Sequence, residues 1–309
     1  AYSPYVMLNK TGMTNIRHYR GKATLELKQD LSMLLKGLKI RAQGAYDTET
    51  NLKEIRSIRP EMYYAQTRKY TGELGIIKRV ESEPAKYTHE DEQFYKVHFE
   101  TTATYETTVA KEHRLSALLY YYMSSEQRMN KDIDAKAETL RSMYAIPIRY
   151  QGLSGRITYG FRDTYFMDVN FGYTGSENFQ SGHRFGFFPS VAVGWIPTQY
   201  EFMQRGLPWL NFLKIRASYG TVGNDRLTDE RFPYLTLMVD GNGGGWGSSS
   251  GYITEERVGA NNLRWEKAKK ADLGIEGRLF NEKLQFVVDF FQDKRDGIYQ
   301  RRSQIPSYV

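Results

Sequence analysis

Apolar and polar residues alternate one by one along much of this chain. From Tyr95 to Val109, Tyr95, Val97, Phe99, Thr101, Ala103, Tyr105, Thr107 and Val109 fall on one face, while Lys96, His98, Glu100, Thr102, Thr104, Glu106 and Thr108 fall on the other. Side chains of a strand point alternately to its two faces, so this stretch reads as one strand with an apolar-aromatic face and a charged face. At about 3.3 Å per residue such a strand runs roughly 50 Å, far beyond the usual five or six residues. Long strands with one greasy and one charged face are characteristic of transmembrane β-barrels, which meet lipid on one side and a polar lumen on the other.

The same alternation recurs over 23–28, 38–46, 113–123, 153–161, 165–173, 185–195, 213–220, 271–279 and 284–291, predicting about ten strands. Phe161–Tyr165 and Phe280–Leu284 read as tight hairpin turns. Between them alternate longer polar stretches at 47–92, 124–146, 175–184 and 222–261, expected as loops at the opposite end. The connection 196–212 is long but falls on the short-turn side by parity, with a short helix expected at Tyr200–Gln204 and ended by Pro208. Val97, Phe99, Val169, Phe171, Ile215, Leu273, Phe286 and Val288 are expected outward, toward lipid. Asp168, Asn170, Lys214, Arg216, Asp272, Glu276, Arg278 and Asp289 are expected to face the lumen. The fold class is therefore all-β, an antiparallel transmembrane barrel. Ten strands do not close comfortably around a plug, and open edges near residues 22 and 297 would leave backbone unpaired in lipid, so the ten are expected to belong to a larger barrel.

Composition sharpens this picture only in part. The 309 residues are 40% hydrophobic with a mean hydropathy of −0.61, and no run approaches the ~18 apolar residues of a spanning helix. A barrel conceals its membrane character from such averages, because every second residue faces the lumen. The 24 Tyr and 16 Phe suit either interfacial girdles or a Tyr-rich soluble sandwich. The absence of Cys excludes a disulfide-stapled domain and a Cys-ligated metal site. The net charge of +7 is scattered along the strands, so no nucleic-acid partner is expected. The N-terminus carries no secretion signal: either one has been removed or the chain begins mid-protein.

No catalytic constellation stands out, and neither an enzyme activity nor a cofactor or metal is expected. Gly247-Ser248-Ser249-Ser250-Gly251 matches a nucleophile elbow in letters alone, with no His downstream. The five His lack metal-ligand spacing, and Asp289, Asp293 and Asp296 lack calcium-loop spacing. Phe179, His183, Tyr234, Trp246 and Tyr252 lie in the expected long loops, where rings either stack on sugar or peptide substrates or pack loop against loop. Length, the Gly241–Gly251 tract and the aromatics make 222–261 the expected main contact with substrate or lid.

Several blocks then carry a resemblance. Arg184–Trp195 (RFGFFPSVAVGW), Leu213–Asn224 (LKIRASYGTVGN), Leu263–Lys267 with Leu273-Gly274 and Leu279–Asn281, and Gly155–Phe179 resemble, in the same order, blocks of SusC/RagA-type TonB-linked outer-membrane transporters. The match covers about residues 150–300; residues 1–150 fit by strand character only. The resemblance implies a barrel of about 22 strands around a plug domain, in the bacterial outer membrane. It implies a SusD-like surface lipoprotein as lid, TonB as energy source, and an oligosaccharide or peptide as substrate. Residues 1–309 are then expected to be a partial barrel domain without plug or TonB-binding segment, which the remaining barrel and the missing N-terminal part would supply. The competing reading is a secreted soluble all-β binding or adhesion module, against which strand length argues.

Overall fold

The structure, a computed structural model, describes residues 3–129, 146–228, 231–241 and 252–300. It falls into two compact units, one of residues 23–46, 96–126 and 135–309 and a smaller one of 1–22, 47–95 and 127–134.

Ten antiparallel strands form one sheet. They are, in sheet order, β1 (Gly12–Asp30), β2 (Leu38–Arg59), β5 (Glu83–Val109), β6 (His113–Met129), β7 (Ile148–Phe161), β8 (Tyr165–Ser176), β9 (Phe185–Trp195), β10 (Leu210–Asn224), β13 (Glu266–Leu279) and β14 (Leu284–Asp296). Neighbours in the sheet follow one another along the chain, so the sheet is a meander, with a further hairpin inserted in each of the two connections 60–82 and 225–265. The expected ten strands are present, all but β9 longer than the alternation suggested.

Exposure in this sheet is inverted relative to a soluble protein. Along β8, Tyr165, Met167 and Val169 are exposed, whereas Phe166, Asp168 and Asn170 between them are partly covered; β9 repeats the pattern, with Phe185, Phe187, Val191, Val193 and Trp195 exposed. Among the described residues only Phe179, Phe232, Leu237, Leu263 and Trp265 are buried hydrophobics, and all five lie in or beside loops. A sandwich would bury its apolar faces against each other. Here the greasy face is the uncovered one.

Rings compensate for glycines on this face. A Cβ at Gly155 would come within 2.3 Å of the Phe171 ring, and one at Gly277 within 2.3 Å of Phe286. Each ring lies over the bare backbone of its cross-strand partner, Gly155 pairing with Phe171 and Gly277 with Phe286. A glycine in a strand marks this kind of close approach.

The connections segregate as expected. Thr164 donates to Phe161 across a tight turn whose Arg162 and Asp163 both have φ near 51°, the left-handed pair that a two-residue hairpin requires. Arg162 donates to Glu112 in the preceding turn at 2.8 Å, and the amide of Ile196 donates to Thr164. The 196–209 connection carries a helix at Glu201–Gly206, followed by Pro208, and reaches the 280–283 turn through Trp209, whose ring stacks on Phe280 at 6.1 Å. Turns 162–164 and 280–283 thus share an end with 196–209, while 177–184 and 225–265 share the other.

The stretch 47–92, expected as a loop, is mostly strand. It completes β2, forms the hairpin β3 (Met62–Thr67) and β4 (Leu74–Val80), and begins β5. All of it lies in the smaller unit, where ion pairs such as Lys53–Glu90 at 3.1 Å and Arg20–Glu49 at 3.0 Å stand where apolar pairs would be sought. Likewise residues 124–129 continue β6, and 222–261 contains a second hairpin, β11 (Leu237–Gly241) paired with β12 (Tyr252–Arg257). The glycine tract 242–251 lies outside the described residues.

Candidate functional site

The charged face of the larger unit is built around Arg216. Its Nε donates to Glu276 at 3.0 Å, Nη1 to Asp272 at 3.1 Å and Nη2 to Asp289 at 2.6 Å, with Lys214 3.9 Å from Glu276. Register explains the convergence: Arg216 pairs with Gly274, and Gly274 with Asp289, so three strands present these groups on one face. Gly274 is the empty position that lets them meet, since a Cβ there would lie 2.5 Å from Asp289 Oδ1 and 2.6 Å from Arg216 Nε. A guanidinium forked among three carboxylates holds the strands in register and leaves excess negative charge on the surface. On neighbouring strands Arg156 binds Asp168, which also accepts from Asn170 at 2.7 Å. Arg278 stands apart from the Arg216 group, over the Phe212 ring at 5.2 Å and bonded to Glu282 at 3.3 Å.

Toward the loop end this face becomes aromatic. Tyr122, Tyr150, Phe188 and Trp265, with Thr174 and Asp225, line a concavity of about 460 Å³. Tyr122 pairs with Gly152, and a Cβ there would come within 2.6 Å of the Tyr122 ring. Phe188 lies over Gly223 in the same way and meets Trp265 edge-on at 5.1 Å. Tyr122, Tyr150 and Phe188 occupy positions that the alternation assigns to the polar face, Trp265 lies just before β13, and sequence reading did not single any of them out as a contact. Aromatic residues at polar parity are the signal that could have found the first three.

The loops above are tied down rather than loose. Trp265 Nε1 donates to the Arg184 carbonyl at 3.1 Å, Ser176 to Asp225 at 2.7 Å, and Asn178 to the Asp225 carbonyl at 3.2 Å. Phe179, one of the loop rings expected either to stack on substrate or to pack loop against loop, does the latter and is 0% exposed. It packs against Trp265 at 5.1 Å and against Leu263, so its surface is taken up within the protein. His183 is half-buried nearby, and its Nδ1 has no hydrogen-bond partner among the described residues. Tyr234 packs edge-on to Phe232 at 6.3 Å in a second small cluster. There Arg257 donates to the Phe232 carbonyl at 3.0 Å and so clasps the base of the hairpin. Tyr252 opens β12 opposite Gly241, and Trp246 lies outside the described residues. The hairpin also leaves Ile253 and Met238 exposed.

An antiparallel wall with an exposed apolar face, a charged face knit across strands and loops sorted to two ends is the wall of a membrane β-barrel. Comparison with known proteins places it further. Residues 3–309 match the family of TonB dependent receptor-like β-barrels, and the chain belongs to that family. It is 29% identical over 147 residues to TonB-dependent receptor SusC of Bacteroides thetaiotaomicron, covering 47% of this chain and 14% of that protein. It is 30% identical over 165 residues to TonB-dependent receptor P39 of Formosa agariphila, covering 53% of this chain and again 14% of the relative. Its fold matches the RagAB peptide importer in the closed-closed state with a TM-score of 0.63 at 18% identity, over 94% of this chain and 31% of that one. The chain thus spans about a seventh to a fifth of the length of the curated relatives it matches.

Proposed function

We propose that this chain forms wall and loop rim of a TonB-dependent importer in a bacterial outer membrane, passing an oligosaccharide or a peptide. One observation carries the reading: the apolar face is the more exposed and the charged face is partly covered and knit across strands, which suits lipid outside and a polar path inside. The named activity of the RagAB structures and the likeness to SusC support import as the task. A plug domain would sit against the Arg216 face, a SusD-like lipoprotein over the loop end, and TonB would act through the plug. The aromatic concavity of Tyr122, Tyr150, Phe188 and Trp265 is the contact for substrate, with His183 and Tyr234 in the loops at the same end. Such rings stack on sugar faces and peptide side chains alike.

The double substitution Tyr122→Ala/Tyr150→Ala tests this. Each ring contact is worth about 0.5–1.5 kcal/mol, so uptake affinity should fall roughly tenfold while surface expression holds. Unchanged uptake of both oligosaccharides and peptides would remove the concavity from the path.

A further inference from the structure

The apolar face carries a cleft of about 380 Å³ at its loop end. Its apolar lining is Val97, Phe99, Met123 and Phe185, and Arg149, Arg184 and the Glu177 carboxylate also line it. Register places this cleft at the edge of the apolar band. Tyr165 and Trp195 close the band at the short-turn end, and Tyr173, stacked on Phe185 at 5.0 Å, closes it at the other. Eight residues separate Tyr165 from Tyr173 along β8. At about 3.3 Å each and a tilt near 40° they rise roughly 20 Å, close to the ~25 Å of a barrel's apolar belt. Met123 pairs with Gln151 beside that upper row, and Arg149, paired with Ser125, lies two residues beyond. The apolar lining is therefore at acyl-chain depth and Arg149 at headgroup depth.

The two arginines are poised for an anion. By parity Arg149 lies on the apolar face, and its guanidinium makes no ion pair or hydrogen bond among the described residues. The Glu177 carboxylate nearby accepts from the Arg149 backbone amide at 3.2 Å. Arg184 is held by Nε to the Phe179 carbonyl at 3.3 Å and has no carboxylate partner among the described residues. Cations above an apolar groove at a bilayer boundary complement a phosphate above an acyl chain. We infer that this cleft binds a phosphate-bearing anionic lipid of the leaflet at the loop end, its phosphate on Arg149 and Arg184 and one chain along Val97, Phe99, Met123 and Phe185. The inference rests on the reading that the apolar face meets the bilayer.

The intact membrane-inserted protein can be tested by native mass spectrometry with dimyristoyl-phosphatidylglycerol against dimyristoyl-phosphatidylcholine. At about 1 kcal/mol per arginine near a charged surface, the wild type should retain the anionic lipid roughly thirtyfold better. Arg149→Gln/Arg184→Gln should lose that preference while the barrel keeps its heat-modifiable gel mobility. Equal retention of both lipids by the wild type, or an unchanged preference in the variant, overturns the inference. So does displacement of the lipid by glycerophosphoglycerol at equal concentration, which would mean that the headgroup alone is read. A Trp placed at Ile157, within the apolar band, reports separately by quenching with brominated acyl chains. Quenching without lipid preference refutes the lipid site alone; no quenching refutes the wall reading and the site with it.

Discussion

Arg216 shows how one side chain organises the charged face. Replacing it by Met would leave Asp272, Glu276 and Asp289 facing one another without a cation. The pairs are about one-third exposed, so solvent screens them and the expected loss is about 1–2 kcal/mol rather than the larger cost of a buried pair. Chemical unfolding in detergent micelles measures it; Arg216→Lys should recover only part, since an ammonium cannot fork in a plane. On the other face, Gly155→Val should drive Phe171 off its seat and cost about 1–3 kcal/mol by overpacking. Adding Phe171→Ala to that variant should return some of the loss, a coupling that a purely additive site would not show. Val288→Arg, which would put a charge on the apolar face, should cost about 2–4 kcal/mol in a bilayer.

At the scale of elements, the long loops are joined into one rim. Trp265 contacts Phe179 and Phe188 and bonds the Arg184 carbonyl, so Trp265→Ala should loosen 177–184 and 225–228 together. Limited proteolysis should then cut both segments faster while turn 280–283 stays resistant. If only one segment becomes sensitive, the two do not share a clasp. The expected loop 47–92 turned out as strand for an intelligible reason. Period-two reading needs contrast between faces, and Asp47–Asn51 or Glu90–Gln93 are polar on both. Their pairing comes from backbone hydrogen bonds and from cross-strand pairs such as Lys53–Glu90, neither of which leaves an apolar trace in one strand's sequence.

For the whole molecule, the sorting of connections to two ends is the testable feature. Cysteines at Arg162 and Glu282 should label only after the outer membrane is breached, whereas one at Arg226 should label on intact cells with an impermeant maleimide. Equal labelling of all three would contradict the orientation. The hairpin β11–β12 stands where the long flexible loop was expected, and its exposed Ile253 and Met238 suit a surface that meets a partner. Exchanging 237–257 for a short turn should reduce ligand uptake or lipoprotein capture without unfolding the sheet.

Strand count, the two faces of each strand and the ends at which turns fall were all legible in the residue pattern. Each follows from alternation within one strand or from parity along the chain, and both are local. The blocks Arg184–Trp195 and Leu213–Asn224 carried the family in the same local way. What could not be read was who meets whom. Gly274 beside Arg216 and Asp289, Tyr122 over Gly152, and Phe179 sealed under Trp265 depend on inter-strand register and on loops folding back, which join residues up to about 86 positions apart. A ring in a loop has the same sequence signature whether it waits for a substrate or fills a core. Phe179 fills a core because Trp265 and Leu263, far along the chain, arrive to cover it.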